Sequence, residues 1–176
     1  MEKSSLKNTL PSMLPPFIMD AIAQPIGCVH EHALLVAGLG AALSNGLGIA
    51  FVLDDDMNYN PAQSLTCKLS GRDAVLKKRF EFDVRFYISS KAPLFAVYCF
   101  DRKWGMVDRG DANHPIDPAR LPEAARASID KGRAVLAAQG LQEVTHPYFF
   151  LPSPGCTTQL DGLPANVLES LFAEIV

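Results

Sequence analysis

The segment at residues 80–88 constrains the fold more than any other part of the chain. Apolar side chains stand at every second position: Phe80, Phe82, Val84, Phe86 and Ile88. Between them stand Glu81, Asp83, Arg85 and Tyr87. Successive side chains of a strand point to opposite faces, so the pattern predicts a strand with one apolar face and one wet, charged face. Such one-sidedness favours an antiparallel sheet that helices cover on one face and leave open on the other.

The order of the remaining patterns predicts an α+β fold. Helical patterns are predicted near residues 16–24 and at 31–43, where Asn45-Gly46 is the expected stop and an almost continuous apolar surface predicts burial. Strands are then predicted at residues 49–53, 65–69, 80–88, 94–100 and 104–107. The chain is expected to end in a helix from residue 117, a strand at 141–151, a Pro/Gly loop at 152–162 and a last helix. The expected sheet is a meander of about 4–6 strands.

The size and charge of the chain limit its function. A chain of 176 residues fits a single globular domain over 1–176, in which residues 1–10 are expected to fray. The net charge of −3 argues against direct nucleic-acid binding, which needs a basic surface that displaces counterions. It is compatible with a basic protein partner.

The cysteines and the apolar segments indicate a cytoplasmic protein. Cys28, Cys67, Cys99 and Cys156 form no C-x-x-C pair, and the polar N-terminus lacks an apolar signal core. We therefore expect reduced, mostly buried thiols. Glycines and Ser44-Asn45-Gly46 interrupt the weakly charged run at residues 33–53, so it predicts a helix followed by a strand and not a membrane span.

Cys28, His30 and His32 are the candidate metal ligands. On an extended segment their C-x-H-x-H spacing would direct all three side chains to one side. No fourth ligand stands out to complete a tetrahedron, so we expect no metal and no cofactor; the alternative is a polar loop that leads into a helix. A second candidate is Cys156 with His146 as its base, although no third orienting group can be identified.

The acidic run at Asp54, Asp55 and Asp56 is the first candidate for binding a partner. It resembles the start of a calcium loop, but an EF-hand would need Gly and Glu where Tyr59 and Leu65 stand. The run is therefore interpreted either as a solvated turn or as an acidic site for a basic partner.

Further candidates lie on the predicted sheet. Glu81 and Asp83 on its wet face form a second acidic candidate. Trp104 is either a core residue or an interface anchor.

Two family resemblances suggest different functions. Residues 27–36 are similar to the G-x-x-H opening of hot-dog thioesterases, but Glu31 and His32 replace the glycines that follow and Leu39 replaces the acid, so no catalytic residue is carried over. Residues 86–98 and the C-terminal helix resemble bacterial toxin-neutralising immunity proteins of the contact-dependent inhibition or polymorphic toxin type. The second resemblance implies a small binding protein that neutralises a toxin, whose domain we expect to be basic.

The binding protein is the preferred hypothesis because no acid–base or nucleophile pair is evident. The alternatives are a secretion chaperone and a small hydrolase, either a metal enzyme at Cys28, His30 and His32 or a hot-dog-like thioesterase.

Overall fold

A computed structural model describes residues 13–54, 60–101 and 116–174 of the chain. Its helices are α1 (Pro16–Ile22), α2 (Val29–Leu47), α3 (Glu123–Ala138) and α4 (Val167–Leu171). Its strands are β1 (Val52–Asp54), β2 (Ala62–Arg72), β3 (Arg79–Ser89), β4 (Leu94–Asp101), β5 (Gln142–Glu143), β6 (Pro152–Thr157) and β7 (Pro164–Asn166). Short 3₁₀ turns lie at Pro118–Arg120 and His146–Tyr148. The predicted α+β class is confirmed.

The main sheet has the strand order β1-β2-β3-β4-β5. Strands β1 to β4 pair antiparallel with their neighbours, as the meander predicts, and β5 adds to β4 in parallel. Strands β6 and β7 form a separate two-stranded hairpin. The predicted strand at residues 104–107 lies outside the described residues.

The apolar face of β3 lies at the centre of the first core. Phe86 stands opposite Leu65 on β2 and Val97 on β4, and all three side chains are buried. Helices α2 and α3 cover this face. Helix α3 approaches closely, because a Cβ on Gly132 would lie only 2.7 Å from Phe86 Cζ. Phe82, Val84 and Phe86 are buried, as the alternation predicts. Val97 on β4 and Leu168, Leu171 and Phe172 at the C-terminal helix are buried as well.

A second core covers part of the opposite sheet face. There Tyr87 and Tyr98 pack with residues of α1, α4 and Phe149. The prediction of helices on one face only is therefore wrong, and Tyr87, which was expected on the wet face, is buried. The reason is tertiary: aromatic side chains at one end of the charged face supply an apolar platform that the two short helices cover.

Helix α2 is longer than predicted. It continues through Asn45 and ends at Leu47, where Gly48 takes a left-handed conformation with φ 66°. Gly46 therefore does not end the helix. It serves packing instead: a Cβ there would lie 2.8 Å from Val135 Cγ2, so the glycine lets α3 approach α2.

Helix α2 is also less buried than predicted. One side packs in the first core, whereas Leu34 and Leu35 on the other side are 65% and 53% exposed. None of the helices in the described ranges combines the length and apolar character that crossing a bilayer requires.

Several strand boundaries also differ from the predictions. Strand β2 runs beyond Ser70-Gly71 to Arg72, and β1 keeps only Val52 and Leu53 of the predicted apolar strand. In the predicted strand at residues 141–151, only Gln142–Glu143 is extended, and a 3₁₀ turn follows. The predicted loop at 152–162 contains β6.

The start of α4 is held by a capping box that the sequence analysis did not predict. Asn166 accepts a hydrogen bond from Glu169 N at 3.0 Å, and the Glu169 carboxylate accepts one from Asn166 N at 2.8 Å. This reciprocal capping box satisfies two amides that a helix start leaves free. Ser170, which was predicted to face water, is buried.

Phe86→Ala tests the packing of the first core. We expect the free energy of unfolding to fall by ~3–5 kcal/mol, the usual cost of deleting a buried aromatic side chain. Urea unfolding measures it. Leu76→Ala on the exposed β2–β3 turn is the control and should change stability by less than about 0.5 kcal/mol. A loss below about 1 kcal/mol for Phe86→Ala would contradict this packing.

Candidate partner-binding surfaces

Among the described residues, helices α1 and α4 cover only half of the second sheet face. The part that these helices leave uncovered, here named the open half-face, consists of Val52, Asp54, Thr66, Lys68, Ser70, Glu81, Asp83, Arg85 and Phe100. The strand registers place all of these side chains on the same side of the sheet. Asp54, Lys68 and Ser70 are exposed, and Val52 is 69% exposed. The other side chains are half-buried, and Asp83 Oδ1 and Arg85 Nε are buried atoms, so the sheet holds these side chains in position.

Arg85 lies where the open half-face meets the second core, beside Tyr87 on its own strand and opposite Tyr98 on β4. Its guanidinium carbon stands 5.3 Å from the centre of the Phe100 ring, and Nη1 lies 3.4 Å from the Tyr87 hydroxyl. Burial works to lower the pKa of Arg85, but Tyr87 and the charges of Asp54 and Asp83 outweigh burial and raise it. Arg85 is thus a fixed cation beside an aromatic ring.

The structure brings some of the predicted partner-binding residues together. Glu81 and Asp83 share the open half-face, as the alternation predicts, and the pairing of β1 with β2 adds Asp54 to it, which the sequence did not predict. The face is not purely acidic, because Lys68 stands opposite Asp83 in the register and Arg85 lies on the same strand. Asp55, Asp56 and Trp104 lie outside the described residues.

The candidate metal ligands do not converge. Cys28 precedes α2 and His30 and His32 lie in its first turn, where residues two apart point to different sides. His32 is buried, whereas Cys28 and His30 are exposed. The prediction of an extended segment at residues 28–32, on which the metal-site hypothesis depended, is therefore wrong, because α2 begins at Val29. Within the described ranges, no group of three or more His, Cys, Asp and Glu is placed to hold a metal ion.

His32 instead joins α2 to the sheet. Its Nε2 lies 2.9 Å from the carbonyl oxygen of Ile88 and donates to it. Burial lowers the pKa of His32 below 6.5, although the bond to Ile88 acts in the opposite direction. The neutral imidazole is therefore the form that the fold prefers.

Cys156 and His146 have different surroundings. The imidazole of His146 packs against Phe149 and Phe150, and its Nδ1 lies 4.0 Å from a carboxylate oxygen of Asp117. Cys156 packs at the edge of the second core.

A cleft of about 270 Å³ next to His32 has a mainly apolar lining, but it also contains Ser90 and Lys91, whose contacts sequence reasoning missed. Lys91 Nζ donates to the carbonyl of Ile22 at 2.7 Å, and Ser90 Oγ donates to the carbonyl of Pro61 at 2.8 Å. These side chains join separate segments of backbone, as His32 does. Only the side chain types were visible in the sequence, and the backbone partners depend on the tertiary fold.

A second, basic surface lies at the β2–β3 turn. A cleft of about 580 Å³ separates this turn from the start of α3 and is lined by Arg72, Arg120 and Arg126. Val75 and Leu76 on the turn are exposed. The Asp73 carboxylate accepts bonds from their amides and so fixes the turn.

The chain was compared with protein-family models, with curated protein sequences and with solved structures, and no match was found.

His32 should make stability depend on pH. The pKa of His32 is lower in the folded chain than the value of 6.5 in the unfolded chain, so the unfolded chain takes up the proton at a higher pH. The stability that the neutral His32 contributes is therefore fully present above pH 6.5. It falls as the pH drops from 6.5 to the folded pKa. His32→Gln retains an amide donor but cannot titrate. Urea unfolding at several pH values should therefore show a smaller acid loss for this variant.

His30→Gln is the matched control, since His30 lies two residues away and is exposed. It should keep the pH dependence of the unchanged protein. Equal pH dependence in His32→Gln and the unchanged protein would contradict the preference for a neutral His32.

Proposed function

We propose that this protein acts by binding and covering a protein partner, as a toxin-neutralising immunity protein does. The open half-face is the observation that carries the proposal. It combines charges of both signs with an aromatic ring and an exposed valine on a rigid sheet. Interfaces commonly use such arginine and aromatic anchors at the centre and charged residues at the rim.

The exposure of each residue on the open half-face suggests whether it contributes to the affinity or to the association rate. Arg85 and Phe100 are half-buried, so a partner that covers them would remove them from water and gain affinity. Asp54 and Lys68 are exposed and would mainly steer the encounter. The acidic members, Asp54, Glu81 and Asp83, support a partner with a basic contact surface.

The surroundings of the other reactive side chains support a binding role over the hydrolase alternative. His32, Lys91 and Ser90 each bond to backbone oxygens that tie elements of the fold together. Such bonds give these side chains a structural use. The cysteines are unpaired, and the two buried ones, Cys67 and Cys99, have raised pKa values because burial disfavours the thiolate. Unpaired thiols support the cytoplasm as the proposed location.

The test uses the product of the gene next to the one that encodes this chain as the candidate toxin. We expect the two purified proteins to bind, and co-expression to protect a bacterial host from that product. Asp54→Asn/Glu81→Gln should slow association roughly threefold or more at low salt and reduce its salt dependence, because steering charges are lost. Biolayer interferometry at two salt concentrations measures both rates.

Asp20→Asn/Glu123→Gln removes the same charge from exposed sites outside the open half-face and serves as the control. Asp20, Asp54 and Glu123 are exposed and Glu81 is half-buried, so each double variant should lose no more than about 2 kcal/mol of stability, since a surface charge contributes roughly 0–1 kcal/mol. If the two double variants slowed association equally, the contact would lie outside the open half-face. Absence of both binding and protection would contradict the immunity function.

A further inference from the structure

The outer face of α2 is an uncovered apolar surface. It consists of Glu31, Leu34, Leu35, Gly38, Ala41, Ala42 and Asn45, which fall on one side of a helix with 3.6 residues per turn. Leu34 and Leu35 are the large members, and both are more than half exposed. No charged residue occurs from Ala33 to Leu47. Exposed apolar helix faces in soluble proteins commonly mark contacts with other chains.

Gly38 lies at the centre of this face, and no contact within the described part of the chain requires a glycine there. Glycine in a helix interior is less stable than alanine and needs a reason. The other helical glycines have one: a Cβ on Gly40, Gly46 or Gly132 would come within 3.0 Å of a neighbouring side chain. A Cβ on Gly38 would meet no atom of the described residues within 4 Å. The absence of a side chain there suits a close approach from outside the chain.

We propose that a second copy of this chain packs its α2 antiparallel against this face, with a two-fold axis at Gly38. The face is complementary to itself in this arrangement. The leucines lie one turn before Gly38 and the alanines one turn after it, so a two-fold axis places Leu34 over Ala42 of the other copy and Leu35 over Ala41. Large side chains thus meet small ones at both ends.

Charge selects the antiparallel direction. Glu31 is the only charged residue of α2. A parallel pair would bring the two Glu31 carboxylates together, whereas the antiparallel pair places each against Asn45 of the other copy. The antiparallel pair therefore brings no like charges together at the contact.

The proposal goes beyond partner binding and leaves the open half-face free. Helix α2 covers the first sheet face, and the open half-face belongs to the second. Each dimer would therefore present two open half-faces. One pair of helices buries less than a standard interface, so we expect dissociation in the micromolar range.

Sedimentation velocity of the full chain from about 1 to about 300 μM tests the dimer. The unchanged protein should shift from monomer to dimer across this range. Leu34→Glu should remain monomeric, because it buries a carboxylate on the two-fold face. Leu163→Glu is the matched control: Leu163 is 60% exposed outside α2 and should dimerise like the unchanged protein.

The Gly38→Ala variant distinguishes an effect on dimerisation from an effect on folding stability. We expect it to weaken dimerisation at least tenfold and, at concentrations where the chain is monomeric, to raise the urea midpoint, since alanine favours the helix. A monomer at every concentration, a dimer that survives Leu34→Glu, or equal dimerisation by Gly38→Ala would each overturn the proposal. Leu34→Glu should still bind the partner at the open half-face, so the two proposals can fail separately.

Discussion

Burial of β3 on both faces is the constraint on which the rest of the structure depends. Phe86 packs beneath α2 and α3, and Tyr87, the next residue, packs beneath α1 and α4. A shift of β3 by one residue would exchange the two sets and place Arg85 in the first core, which would cost the desolvation of a charge. The strand is thereby fixed from both sides at this end. At the other end the described helices cover only the first face, and the open half-face gains its rigidity from the core behind it.

The open half-face shows how a half-buried charge can be held at a surface. Arg85 shares strand β3 with Phe86, so the packing of one determines the position of the other. Its contacts with Phe100 and Tyr87 restrict the side chain before any partner arrives. A side chain that is already ordered loses less conformational entropy on binding, which favours affinity. The charge alternation in β3 is therefore both a folding signal and the origin of the proposed site.

Sequence reasoning succeeded where local periodicity matched the burial and failed where contacts between distant segments decided it. The alternation at residues 80–88 predicted the register that places Glu81 and Asp83 together. It could not show that Tyr87 is buried, because α1 and α4 are distant in the chain. Gly46 suggested a helix stop, but its contact with Val135 gives it a packing role. Cys28 and His32 suggested a metal site only because the helix was expected to begin later.

The central claim is that a protein partner covers the open half-face. Hydroxyl-radical footprinting of the chain, alone and with the product of the neighbouring gene, tests it most directly because it reports the exposure of individual side chains. The account predicts that the partner protects Val52 and Phe100 from oxidation and leaves Val75 on the β2–β3 turn unchanged. Protection of Val75 with unchanged Val52 and Phe100 would move the contact to the basic cleft and contradict the account.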